Sequence, residues 1–518
     1  MASPFDSSIH QAQLDVDPDF RLASVPDRIF GSFAEHLGRC IYTGIYEPGH
    51  PKADCNGYRT DVMELVRELG VTAIRYPGGN FVSGYRWQDG IGPRNQRPRR
   101  LDLAWHSTET NEFGLHEMVE WLKRLGGNEL MEAVNLGTQG TQEALDLLEY
   151  SNIPSGTVLS DLRRRNGSED PFDIHMWCLG NEMDGPWQLG HRDAADYART
   201  AAMAAAAMRQ MDPDVELVVC GSSSHSMPTF GDWERTVLER TYEQVDFISS
   251  HAYYHPVDGD MDSFLASGED MGAFIREVAA VIDATRAKLK SDHQVAISFD
   301  EWNVWYQDSE PSRTPEGIGN WPQAPRLLED VYSLADAVVF GDLLITLLKH
   351  ADRVRSASLA QLVNVIAPIM TEPGGPAWRQ TTFYPFSSTA RLSKGGNVVE
   401  SHMNSDFYET ARYGDVPDLD SVAVSQDDGS LSIFVANRSR SRPYDLTLRL
   451  PAWACSGYSR IEAQTLHDDD IQASNTLEAQ DRVLPHPNTT ARLTASGSQA
   501  SIHLPPVSWS AIRLSGMQ

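Results

Sequence analysis

Basic residues are scarce in this 518-residue chain: 43 Lys and Arg stand against 72 Asp and Glu, a formal net charge of −29. So acidic a chain is repelled by phosphate backbones and anionic headgroups, which makes nucleic acid and membranes poor partners. Most of that charge reads as a solvated surface. Cysteine is scarce too. Cys40, Cys55, Cys178, Cys220 and Cys455 lie far apart without a C-x-x-C pair, so neither a disulfide framework nor a zinc knuckle is expected. The alanine-rich stretch 201–208 is too short to span a bilayer and reads as the middle of a helix starting near Arg192. The N-terminus, MASPFDSSIHQAQLDVDPDF, lacks a basic region followed by an apolar one, so no signal peptide is expected and the cytoplasm is the default location. The serine cluster SSSHS (222–226) does not form G-x-S-x-G, which argues against a serine hydrolase.

What is present is an alternation. Eight strand candidates, at 28–33, 73–79, 130–137, 174–182, 217–223, 245–254, 294–302 and 355–363, are mostly separated by amphipathic stretches such as 60–70, 116–126 and 271–289. This pattern predicts a (β/α)8 TIM barrel over residues 28–385. A doubly wound open sheet is the alternative, weakened because no glycine-rich phosphate fingerprint follows the first strand. From about residue 386 to 518 the texture becomes all-β. Segments 422–426 and 431–439 flank an Asp-Asp-Gly turn, DLTLRLP (445–451) alternates, and 502–514 closes the chain. A β-sandwich, jelly-roll-like, is expected there, with no helix-length pattern. Residues 1–27 form an N-terminal segment whose QAQLDVD (11–17) could add an edge strand to it.

In a TIM barrel the chemistry sits where strands end and the following loops begin. Polar residues at those ends are Glu35 and His36 after strand 1, Arg75 and Asn80 at strand 2, and Asn135 at strand 3. Asn181 and Glu182 end strand 4; His251, Tyr253 and Tyr254 end strand 6; Asp300 and Glu301 end strand 7; Gln361 and Asn364 follow strand 8. Trp105, Trp302 and Trp305 lie in nearby segments. Amides and acids for hydroxyls, with indoles for apolar ring faces, suit a polyhydroxylated substrate. Glu182 and Glu301 stand out, each directly after a hydrophobic strand, in LGNE and FDEW. Cleavage of a glycosidic bond needs one carboxylic acid for the leaving oxygen and one carboxylate for the anomeric carbon or a water. A lone Glu at such a position is more often a helix cap; two on facing strands favour catalysis.

The segments FGSFAEHLGRCIYTGIYEP (30–48), IRYPGGNFVSGYRWQDGIGPRNQRP (74–98), WHSTETNEFG (105–114), WCLGNEMDGPWQ (177–188), ISSHAYY (248–254), FDEWNVWY (299–306) and 355–386 resemble α-L-arabinofuranosidases of glycoside hydrolase family 51. The likeness runs from about residue 11 to the C-terminus and is weakest over 307–325. It implies Glu182 as acid/base and Glu301 as nucleophile. Glu35, Asn80 and Asn181 would bind hydroxyls of the arabinofuranose, and Gln361 its exocyclic hydroxymethyl. Arg75 and Tyr253 would hold the nucleophile, and Trp105 and Trp305 would wall the site. It further implies exo action with retention on arabinofuranose-containing oligosaccharides, no cofactor, and a homohexamer.

His251 and His255 have the spacing of a helical zinc pair but follow a strand and lack the H-E-x-x-H glutamate, so no metal site is expected and His251 reads as a hydrogen-bonding member of the pocket. The Asn-x-Ser/Thr triplets at Asn166, Asn437 and Asn488 carry no weight without secretion. An endo-glucanase or xylosidase is the second enzyme reading, separated by an open cleft rather than a blind pocket. A noncatalytic sugar-binding protein is the third, and the presence of both glutamates argues against it.

Overall fold

A computed structural model describes residues 9–307, 309, 312–451 and 457–516; Cys455 lies outside them. Eight parallel strands close into a barrel in chain order: Gly31–Phe33, Ala73–Tyr76, Glu129–Val134, Met176–Leu179, Glu216–Val219, Phe247–Tyr254, Ala296–Val304 and Val354–Leu359. They are barrel strands 1 to 8, and closure rules out the open sheet. All eight fall within or beside the expected segments.

The helices follow from the sequence locally. Thr60–Leu69 buries Val62, Met63, Leu65, Val66 and Leu69 on one face and stops where Gly70 turns left-handed at φ 87°. Ala194–Met211 starts at Asp193, whose carboxylate accepts the Asp196 N–H, and buries Ala198, Ala201, Ala204 and Ala205. Leu334–Lys349 differs in being buried along nearly its whole length. It lies between the barrel and the C-terminal sheet, where a β-carbon at Gly341 would collide with the Trp509 indole. Across the same junction Arg438 reaches Glu269 at 3.1 Å and Asp342 at 3.5 Å. Among the described residues no helix is long and apolar enough to cross a membrane.

The C-terminal region is a ten-stranded mixed sheet with a core of its own, including Leu14, Val16, Ile433, Val435, Leu446 and Ile502. Alternate residues such as Phe434, Ala436 and Trp509 belong to the main core shared with the barrel. Two expectations change. The N-terminal strand, His10–Ser24, is not at an edge: it pairs antiparallel with Asn397–Asn404 and parallel with Tyr444–Arg449. Its alternating Ala12, Leu14 and Val16 enter the sheet's core, which favours an interior place. The helix Phe383–Ser393 also runs past residue 386, because Phe383, Phe386 and Ala390 pack into the barrel's outer layer.

Candidate active site

Strand 7 carries the decisive local irregularity. In a regular strand Asp300 and Glu301 would point to opposite faces. A shift in register between Ser298 and Glu301, seen against strand 6, lets both turn inward, while Phe299 and Trp302 point to the outer core. Glu301 then accepts hydrogen bonds from Arg75 Nη1 at 2.7 Å and Tyr253 Oη at 2.6 Å. Burial opposes the charge on Arg75, but Glu301 and Asp300 hold it protonated, its pKa well above the ordinary value. Burial, reinforced by the charge on Glu301, raises the Tyr253 phenol, so this hydroxyl donates.

Glu182 follows strand 4 at a left-handed φ of 42°, beyond Gly180 at φ 90°. That conformation is costly for a residue with a β-carbon and aims the carboxylate into the mouth. Trp187 Nε1–H donates to its Oε2 at 2.6 Å, and His251 Nδ1 lies 2.9 Å from its Oε1. The other imidazole nitrogen lies 2.9 Å from Asp300 Oδ1. Burial pulls the His251 pKa down, but Glu301, Asp300 and Glu182 outweigh it and push it up to about 10. A protonated His251 thus bridges Glu182 and Asp300.

Glu35 stands across the pocket. Its Oε1 accepts from the Phe81 N–H and from Trp105 Nε1–H, each at 2.9 Å, and its Oε2 from Gln361 Nε2 at 3.0 Å. Burial raises its pKa to about 8 despite those donors. Asn181 accepts from Arg75 Nη2 at 2.6 Å and donates to Asn80 Oδ1 at 3.3 Å.

Glu35, Asn80, Trp105, Glu182, Tyr253, Glu301, Trp305 and Gln361 line one cavity of about 510 Å³. Arg75, Asn181 and His251 stand behind its walls, each bonded to a lining residue. Other strand-end residues do not join them. Asn135 caps its own loop by accepting N–H groups from Gly137 and Thr138, and Asn364 holds a turn through Thr371. His36 pairs with Glu109 and Tyr76. Trp302 is fully buried against Phe340 in the outer core. Sequence reasoning did not single out Trp187, although it sits in the quoted segment, nor Gly79. A β-carbon there would lie 3.1 Å from Glu301 Oε1 and 3.4 Å from Glu35 Oε2, so only glycine leaves that floor open. The doublet YPGGN gave the signal.

Among the described residues the set spaced to hold a cation is Glu182, His251 and Glu301, with one ligand atom from each within 4.8 Å of the others. His251 already spends both nitrogens on carboxylates there, so an ion would have to break the pairings that orient the glutamates.

The sequence matches the family described as alpha-L-arabinofuranosidase 1 domain over residues 65–266 and the alpha-L-arabinofuranosidase C-terminal domain over 300–508. An exo-α-(1→6)-L-arabinofuranosidase of Bifidobacterium longum is 67% identical across 98% of both chains. The chain belongs to the α-L-arabinofuranosidase family. An intracellular exo-α-(1→5)-L-arabinofuranosidase of Streptomyces lividans is 57% identical over 97% of this chain and 75% of its own length. A family 51 α-L-arabinofuranosidase structure from Bifidobacterium longum superposes with a TM-score of 0.92 at 48% identity, covering 98% of this chain and all of that one. The arabinose complex of the Thermotoga maritima α-L-arabinofuranosidase gives 0.85 at 33% identity, over 97% of this chain and 99% of that one.

Proposed function

We propose that this arabinofuranosidase removes terminal non-reducing α-L-arabinofuranosyl groups from arabino-oligosaccharides, arabinan or arabinoxylan fragments, one at a time and with retention. The observation that carries the reading is the pairing of Glu182 and Glu301 across the mouth, with carboxylate oxygens within 4.8 Å. Oxygens this close favour the short carboxyl separation of a double displacement, about 5–5.5 Å, over the roughly 6.5–9.5 Å that admits the water of an inverting enzyme. Glu301, positioned by Arg75 and Tyr253, attacks the anomeric carbon. Glu182 protonates the leaving oxygen, then takes a proton from the water that releases the sugar. No cofactor enters these steps.

Glu35, Asn80 and Gln361 come from strands 1, 2 and 8 and ring one small sugar, with Asn181 holding Asn80 from behind and Trp105 and Trp305 as walls. Leu328, Ile366 and Gln361 line the cavity on the strand 8 side. This favours a pocket for a chain end over the open cleft of an endo-glucanase. Relatives named intracellular, from Streptomyces lividans and Bifidobacterium longum, support a cytoplasmic location. The resemblance also supports a homohexamer, which light scattering of the purified protein would test. The functional reading is tested by hydrolysis of 4-nitrophenyl α-L-arabinofuranoside beside the β-D-xylopyranoside. The first should be favoured by about 100-fold or more, since losing two aligned hydrogen bonds costs roughly 1–3 kcal/mol each. Equal kcat/KM on both overturns it.

A further inference from the structure

The catalytic cavity does not end at Tyr253. Ser224, Ser226, Tyr253 and Gln307 line both it and a second groove of about 230 Å³. Part of that groove's wall comes from the C-terminal sheet region: Arg412 and Tyr413 sit in the turn between strands Phe407–Thr410 and Gly414–Pro417. The turn is pinned to the loop that follows barrel strand 6. The Arg412 N–H donates to Ser263 Oγ at 3.2 Å, and the Tyr408 hydroxyl donates to the Asp262 carbonyl at 3.2 Å. Within the groove, Asp270 is fixed from two sides, accepting from Tyr254 Oη at 3.1 Å and lying 2.8 Å from His225 Nδ1. A cavity this well braced keeps its shape.

Its direction matters. The sugar-ringing residues Glu35, Asn80 and Gln361 occupy the side of strands 8, 1 and 2. The groove leaves over the loops after strands 5 and 6, past Ser224 and Tyr253, from the cavity that Glu182 lines. The group whose oxygen Glu182 protonates must depart on the side of Glu182.

We propose that this groove is a subsite for the sugar units on the leaving-group side of the scissile bond, so that the C-terminal region helps to select oligosaccharides over simple glycosides. The proposal rests on the assignment of Glu182 as acid/base. The half-exposed Tyr413 offers an aromatic face for the apolar side of a sugar ring, while Arg412 and Asp260 offer hydroxyl partners. Linkage is a property of this side of the bond. Whether a unit leaves through its 5- or 6-oxygen changes the path of the departing chain, not the shape of the released arabinose. Residues that distinguish linkages therefore belong outside the ring pocket.

The test compares wild type, Tyr413→Ala and Arg412→Ala on 4-nitrophenyl α-L-arabinofuranoside and on α-1,5-linked arabinobiose and arabinotetraose. Arg412 is exposed, so its variant serves as the control should Tyr413→Ala melt early. Each variant should lower kcat/KM for arabinotetraose by about 5-fold, mainly through KM, as expected for loss of one stacking or polar contact. The aryl glycoside should stay within about 2-fold of wild type, because its leaving group is too short to use the groove. Unchanged values on every substrate, or equal losses on all of them, overturn the subsite. Failure of the wild type to cleave the aryl arabinofuranoside would instead remove the functional reading beneath it.

Discussion

Glu182 and Glu301 rise from strands 4 and 7, yet an oxygen of each carboxylate comes within 4.8 Å of the other, and His251 Nδ1 lies 2.9 Å from the first and 3.5 Å from the second. The two acids thus share one cation while differing in every other partner: Trp187 for Glu182, Arg75 and Tyr253 for Glu301. Different partners suit the two to the proposed roles of acid and nucleophile.

Removing each glutamate should give a distinct kinetic signature. Glu301→Ala should abolish turnover on all substrates, by about four orders of magnitude or more. Glu182→Ala should slow arabino-oligosaccharides most and spare the glycosylation step for aryl arabinofuranosides, whose leaving groups need no proton. Wild-type rates in Glu301→Ala, or uniform slowing in Glu182→Ala, would contradict the roles.

The pocket floor predicts a third variant. Gly79→Ala places a methyl group 3.1 Å from Glu301 Oε1, closer than a carboxylate tolerates without moving. Gly79 has φ −82° and ψ −106°, outside the α and β regions, so thermal melting of the variant is read beside its activity. In protein that still melts cooperatively, kcat/KM should fall by about 10- to 100-fold from displacement of the Glu301 carboxylate. Full activity in this variant would show that Glu301 has more freedom than the packing implies.

How much of this was legible in the sequence depended on whether local pattern or tertiary context placed each residue. The eight strands were readable because each is a short apolar run, and Glu182 and Glu301 because both directly follow such runs. Trp302 was misjudged as a neighbour of the site: the register shift at strand 7 turns Asp300 and Glu301 inward together and sends Trp302 outward, and no local pattern announces that shift. Asn135 and Asn364 have the right residue type at the right strand ends, but their amides hold loops. The N-terminal strand was recognisable by alternation, while its interior place depends on partners several hundred residues away. The turn carrying Arg412 and Tyr413 has no motif, and only folding brings it to the barrel mouth.

The imidazolium gives a pH signature. His251 is raised from 6.5 to about 10 by Glu301, Asp300 and Glu182 against the cost of burial. A raised cationic pKa stabilises the fold fully below pH 6.5, and that contribution is lost as pH climbs through about 10. The melting temperature should therefore fall between pH 6.5 and 10, and fall less steeply in His251→Gln, even though that variant is less stable at pH 6. Parallel slopes would show that His251 is neutral in the folded protein.

The central claim is a covalent arabinosyl intermediate on Glu301, and the product formed in the presence of methanol tests it most directly. Turnover of 4-nitrophenyl α-L-arabinofuranoside in dilute methanol, followed by proton NMR, should yield methyl α-L-arabinofuranoside beside free arabinose, because methanol intercepts the intermediate on the face the leaving group vacated. Methyl β-L-arabinofuranoside as the product would mean that a single displacement occurs and that the pairing of Glu182 and Glu301 has been misread.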